Sequence, residues 1–228
     1  MTTHKTITKA GVSTFAFFLV ACSLRGEMQW DAPRIVTTNC SGCHRVDGNS
    51  QLPYFPRVAG LNAAYSEKKL AEFAESPTPP VDELLHMITS RIDGHKSVGN
   101  NTPNERINML GMAHAVKPEV LKEAVDWYAK QTPAPGRGGN TALIQQGEQI
   151  FAKGVPDQHI IACMSCHGQS AQGQATAPRL AGQNSEYLEA QLVKFRRGDR
   201  KHAPEMTMEV RELNSDQARA VAAYLQSR

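Results

Sequence analysis

The chain is 228 residues long, with 40% hydrophobic residues, 21% charged residues and a formal net charge of +3. This is an ordinary globular composition with room for one large domain or two small ones, and it excludes disordered and collagen-like chains. So small a charge, carried in short scattered clusters, excludes nucleic acid as the partner. Five cysteines, an odd number, exclude a fully paired disulfide scaffold and leave at least one sulfur that needs its own explanation.

Taken in chain order, Lys5 and Lys9 precede an uncharged apolar run from Gly11 to Ala21. As a helix that run spans about 17 Å, well short of a ~30 Å hydrocarbon core. Segment 1–21 therefore reads as an export signal rather than a membrane span. It ends Leu19-Val20-Ala21-Cys22-Ser23, which resembles the bacterial lipoprotein signal. That resemblance implies cleavage before Cys22, lipidation of Cys22, and a periplasmic protein tethered to the membrane by its N-terminus. Ordinary signal cleavage and an uncleaved anchor are the alternatives. Cleavage there leaves 23 basic against 22 acidic residues, an essentially neutral polypeptide.

Cys40-Ser41-Gly42-Cys43-His44 recurs as Cys163-Met164-Ser165-Cys166-His167, and Pro56-Arg57-Val58-Ala59-Gly60 recurs as Pro178-Arg179-Leu180-Ala181-Gly182. Tyr65 recurs as Tyr187. The offset is 123 at the cysteines, 122 after them, and 97 where Met109 meets Met206, so the first copy carries about 25 extra residues, placed within Ser76–Asn104 by its Pro and Gly turn signals. Leu121, Ala124, Val125 and Tyr128 lie on one face of a helix, and Ala218, Val221, Ala222 and Leu225 repeat that face at the end of the chain. Leu188, Leu192 and Phe195 mark another helix, begun by Asn184 or Ser185 as N-cap. Gln131 to Asn140 has too much Pro and Gly for a regular element, and no segment alternates like a strand. The expected architecture is all-α: a signal over 1–21, tandem helical domains over 22–131 and 141–228, and a linker over 132–140.

Cys-x-x-Cys-His is the signature of covalent haem c attachment: two thiols form thioethers with the porphyrin and the histidine ligates iron. Two copies at equivalent repeat positions, after an export signal, predict two haem c groups on Cys40, Cys43, Cys163 and Cys166, with His44 and His167 as proximal ligands. A zinc site lacks the second ligand pair in each half, a thioredoxin-like motif lacks its βαβ setting, and a disulfide leaves both histidines unexplained.

The opposite face of each iron needs a second ligand. The repeat aligns Met109 with Met206, each seven residues before an apolar residue (Val116, Leu213) that leads into the terminal helix. Met112 and Met208 are the nearest alternatives, and His114 and His202 would instead give lower-potential bis-histidine haems. Met28, Met87 and Met164 read as packing residues; His4, His86, His95 and His159 have no repeat counterpart. In monohaem cytochromes c a proline carbonyl fixes the second ring nitrogen of the proximal histidine, and Pro56 and Pro178 occupy that place.

These motifs, with Gln183, Tyr187, Gln191-Leu192 and Ala222-Ala223-Tyr224-Leu225, resemble the dihaem cytochrome c4 family from Asp31 to the C-terminus, particularly its members in acidophilic iron- and sulfur-oxidising bacteria. The resemblance implies two class I-like cytochrome c domains about a pseudo-two-fold axis, with haem propionate edges facing one another. It also implies a carrier of single electrons between a respiratory donor (a quinol-oxidising bc1-type complex or a periplasmic metalloprotein) and a terminal oxidase. Leu61 departs from the Gln expected after Ala59-Gly60, and the long Ser76–Asn104 loop is a second departure. The competing functions are a haem-bearing subunit of a larger membrane redox complex and a dihaem redox enzyme, a peroxidase or a thiosulfate-oxidising cytochrome. The enzyme needs an open iron position or a spare thiol near a haem, and Cys22 is the only cysteine left over.

Overall fold

The histidine-bearing motifs sit on short helical turns, and longer helices close around them. In a computed structural model, residues 31–77, 103–174 and 177–228 are described. The export signal with Cys22, the residues His4, Met28, His86, Met87 and His95, and most of the Ser76–Asn104 insertion lie outside them. The all-α expectation holds: among the described residues there is no strand, and β-type pairing is confined to two isolated bridges, Val155↔Ile160 and Gln174↔Ala177.

In the first half a π-helical segment, Val36–Cys40, runs directly into α1 (Ser41–His44). Helices α2 (Ala63–Glu75), α3 (Pro103–Ala115) and α4 (Pro118–Ala129) follow. Asn62 starts α2 by accepting from Ala64 N and Tyr65 N, and Pro118 opens α4, where a missing N–H costs no helical bond. The predicted stripe of α4 is the buried one: Leu121, Ala124, Val125 and Tyr128. Ala124 and Tyr128 pack with Ile35 and Val36 into the core of this half.

The second half has α5 (Thr141–Lys153), a 3-10 turn at Pro156–Gln158, α6 (Met164–His167), α7 (Ser185–Arg196), α8 (Pro204–Val210) and α9 (Ser215–Gln226). A reciprocal capping box between Asn214 and Gln217 fixes the start of α9. Its stripe, Ala218, Val221, Ala222 and Leu225, joins Phe151, Leu188 and Phe195 in a larger core. Each large aliphatic side chain so buried contributes roughly 1.5–3 kcal/mol. Helices α5 and α9 cross at Gly147, where a Cβ would stand 2.0 Å from Ala220 O, so only glycine permits this approach. Met164 packs against this core, as its reading required.

The repeat is visible in the backbone. Val58 N and Ala59 N donate to Gly48 O at 2.8 and 3.2 Å, and Leu180 N and Ala181 N donate to Ala171 O at 2.9 and 3.0 Å. Gly60 N then reaches Tyr128 O on the closing helix of its half at 2.9 Å, as Gly182 N reaches Leu225 O at 2.8 Å. Residues Ala32–Arg228 form one compact unit, and segment 132–140, which has no regular element, runs along it with Arg137 N donating to Gln226 O at 2.8 Å.

Candidate haem sites

Each motif places its histidine at the end of a four-residue helical turn, α1 or α6, and folds the following loop back over the ring. His44 Nδ1 lies 2.9 Å from Pro56 O, and His167 Nδ1 lies 3.0 Å from Pro178 O. A carbonyl oxygen only accepts, so both Nδ1 atoms carry the proton and both Nε2 atoms keep a free lone pair. The rings are 7% and 6% exposed, and burial pulls the pKa of each below the ordinary histidine value, against the opposing pull of the proline carbonyl. Both imidazoles are therefore neutral donors, the form a metal takes.

Other bonds hold the turns in place. Ser50 Oγ donates to Cys43 O at 2.7 Å, Tyr128 Oη to Arg45 O at 3.0 Å, and Trp127 Nε1 to Val46 O at 2.7 Å. In the second half Gly173 N donates to His167 O at 2.8 Å and Gln174 Nε2 to Ser165 O at 2.6 Å. Burial pushes the Cys40 and Cys163 thiols up to about 11. That is the opposite of the lowered pKa that activates the attacking cysteine of a dithiol oxidoreductase. Among the described residues no group of three or more His, Cys, Asp or Glu is placed to hold a metal ion.

Both motifs open onto one continuous cavity of about 1830 Å³, well beyond the ~300–1,000 Å³ of a usual single-ligand site. Its lining includes Cys40, Cys43, His44 and Pro56 from one half and Cys163, Cys166, His167 and Pro178 from the other. Leu70, Phe73, Leu188 and Phe195 add apolar wall. The residues present fit two macrocycles: two thiol pairs, two neutral imidazoles, apolar walls and cationic groups. Among these last, Arg179 and Arg200 line the cavity and each has a buried Nε without a hydrogen-bond partner, a match for carboxylate side arms.

On the distal side Met206 is partly buried and lines the cavity, whereas Met208 is 68% exposed and does not. Met109 and Met112 both line it, and Met112 also packs against the first-half core. His202, exposed, lies at the cavity wall; His114, also exposed, has Nε2 3.0 Å from Ser76 O and is not among the lining residues.

Sequence reasoning missed the seam between the halves. Arg57, the repeat mate of Arg179, turns away from the cavity and donates through Nη1 to Gly182 O at 2.8 Å and Pro135 O at 3.2 Å. Gln183 pairs with the Arg57 backbone, and the fully buried Asn184 donates to Leu52 O at 3.0 Å and Phe55 O at 2.8 Å. Asn184 Oδ1 accepts from Arg137 Nη2 at 2.7 Å. Asn184 is the N-cap residue of α7 and makes no side-chain cap, whereas its mate Asn62 caps α2. The one signal in the sequence was Leu61 standing opposite Gln183.

Known proteins bear on this geometry. The family model for cytochrome c matches residues 31–83 and 144–228, one segment around each motif. Cytochrome c4 of Stutzerimonas stutzeri is 31% identical over 193 residues, 82% of this chain and 83% of that protein. The solved structure of cytochrome c4 from Acidithiobacillus ferrooxidans superposes with a TM-score of 0.67 at 30% identity, covering 83% of this chain and 99% of that one. A thiosulfate dehydrogenase electron acceptor from Stutzerimonas stutzeri strain A1501 is 31% identical over 81% of this chain and 76% of its own length.

Proposed function

The chain belongs to the cytochrome c family, among the dihaem c4-type electron-transfer cytochromes with two covalently bound haem c groups, and from that premise we propose a periplasmic carrier of single electrons between a respiratory donor and a terminal oxidase. The observation that carries the reading is the single cavity into which both Cys-x-x-Cys-His turns open. Bound haem c supplies an iron that gains and loses one electron at a time. Cys40 and Cys43, and Cys163 and Cys166, would hold the two macrocycles covalently. His44 and His167 would present Nε2 to iron, each ring fixed through Nδ1 by Pro56 or Pro178.

Met109 and Met206 are the proposed sixth ligands, and thioether ligation raises the potential. The exposure of Met208 supports Met206 in the second half; in the first, the repeat alignment favours Met109 over Met112. The proposed domain limits are 22–131 and 141–228, joined by 132–140. The donor is proposed to be a bc1-type complex or a periplasmic metalloprotein. The relative named as a thiosulfate dehydrogenase electron acceptor supports sulfur-compound oxidation as a second source of electrons, with this chain as the acceptor rather than the enzyme. Cys22 is proposed as the lipidated residue that tethers the protein.

A reduced-minus-oxidised spectrum with a haem c α-band at two haems per chain is the expected result. One haem per chain, or catalytic turnover of peroxide by the reduced protein, would sink the carrier reading. The mass of the mature N-terminus decides lipidation, and a cleaved, unacylated start rejects it.

A further inference from the structure

The two proximal loops meet through one side chain. Gln183 is 6% exposed and lies in the second-half loop that begins at Pro178. Its Oε1 accepts from Arg57 N at 2.7 Å and from Asn184 N at 3.0 Å, and its Nε2 donates to Arg57 O at 2.9 Å. Two backbone N–H groups converge on one amide atom, which fixes that atom as oxygen and sets the orientation of the amide. The Arg57 N–H belongs to the same peptide unit as the Pro56 carbonyl, whose oxygen accepts from His44 Nδ1 at 2.9 Å. One planar peptide thus carries the proximal histidine at one end and Gln183 at the other.

We propose that Gln183 is a positioning residue through which the second half of the molecule lowers the reduction potential of the first-half haem. The inference rests on the reading of His44 as the proximal ligand. An acceptor on a peptide N–H shifts electron density toward its carbonyl oxygen, because resonance joins the two across the C–N bond and hydrogen bonds in a chain polarise one another. A more negative Pro56 oxygen draws the Nδ1 proton harder, which makes the His44 ring a stronger donor to iron and favours the oxidised state. The effect runs one way. The repeat mate of Gln183 is Leu61, which carries no polar side-chain atom, so the Pro178–Arg179 peptide receives no such amide from the first half.

The test uses the full-length protein with both haems attached. In Gln183→Leu, which installs the residue the first half already has, the reduced-to-oxidised ratio of the first-half haem at a fixed applied potential rises about threefold. The second-half haem keeps its potential. In the reduced protein the His44 Nδ1–H resonance moves upfield as its hydrogen bond weakens. Gln183→Glu retains an acceptor for Arg57 N and leaves the first-half potential at or below the wild-type value. A folded Gln183→Leu protein that loses stability with both potentials unmoved, or with both moved together, overturns the proposal, since a merely structural seam residue would do that. A wild-type protein with fewer than two haems per chain would overturn the dihaem reading on which the proposal rests, an outcome distinct from unmoved potentials in Gln183→Leu.

Discussion

His44 and His167 show how much one proline carbonyl settles: it assigns the proton to Nδ1 and turns Nε2 toward the cavity. This was legible because Pro56 and Pro178 occupy the place from which a proline carbonyl fixes the proximal histidine in monohaem cytochromes c. The proposed sulfur ligands, Met109 and Met206, were less legible. In Met206→Ala the Met–iron charge-transfer band should fall by about half, since one of two such haems loses its thioether. Met208→Ala, at an exposed site, should leave the band intact; the reverse result reassigns the ligand. Tyr128 makes a different prediction. Burial, with a lesser charge effect from Asp47, pushes its hydroxyl well above the ordinary 10.0. Above about pH 10 the unfolded chain gives up this proton while the folded chain keeps it, so the tyrosine's contribution to stability falls as pH rises. Tyr128→Phe should remove that alkaline loss while costing about 1 kcal/mol at neutral pH for the bond to Arg45 O, as read from denaturant midpoints across pH.

Among the helices, the apolar stripes of α4 and α9 were readable in the sequence because burial of one face imposes the 3.6-residue period. The π-helical approach to α1 was not, since nothing in Val36–Cys40 distinguishes an i+5 from an i+4 bond until the core fixes Val36. Nor was the contact at Gly147, where the sequence shows a glycine within a helix and gives no hint of what approaches it. Gly147→Ala drives a Cβ into Ala220 O and should destabilise the second half by about 3 kcal/mol. Gly138→Ala, with open space around it, should stay within about 0.5 kcal/mol of wild type. Equilibrium unfolding followed by haem absorbance separates the two, and equal losses would refute the close approach as the cause.

Across the whole molecule, the repeat made the two halves legible, but their relation was hidden where the copies diverge in use rather than in residue. Asn62 and Asn184 are the same residue at the same repeat position; one caps a helix and the other fills the seam. Asn184→Ala leaves the Leu52 and Phe55 carbonyls without this donor and should cost about 2 kcal/mol. It should also split one unfolding transition into two, which calorimetry would detect; a single unshifted transition would show that the seam couples nothing. The cavity has a consequence for manufacture. Its walls come from both halves, so a chain furnished with one macrocycle keeps an apolar hollow against the seam. Limited proteolysis of a Cys40→Ala, Cys43→Ala protein should therefore cut within both halves, whereas the finished protein resists. Survival of an intact second half would show that each pocket matures alone. Maturation of the two halves is expected to be coupled, since both contribute walls to the one cavity.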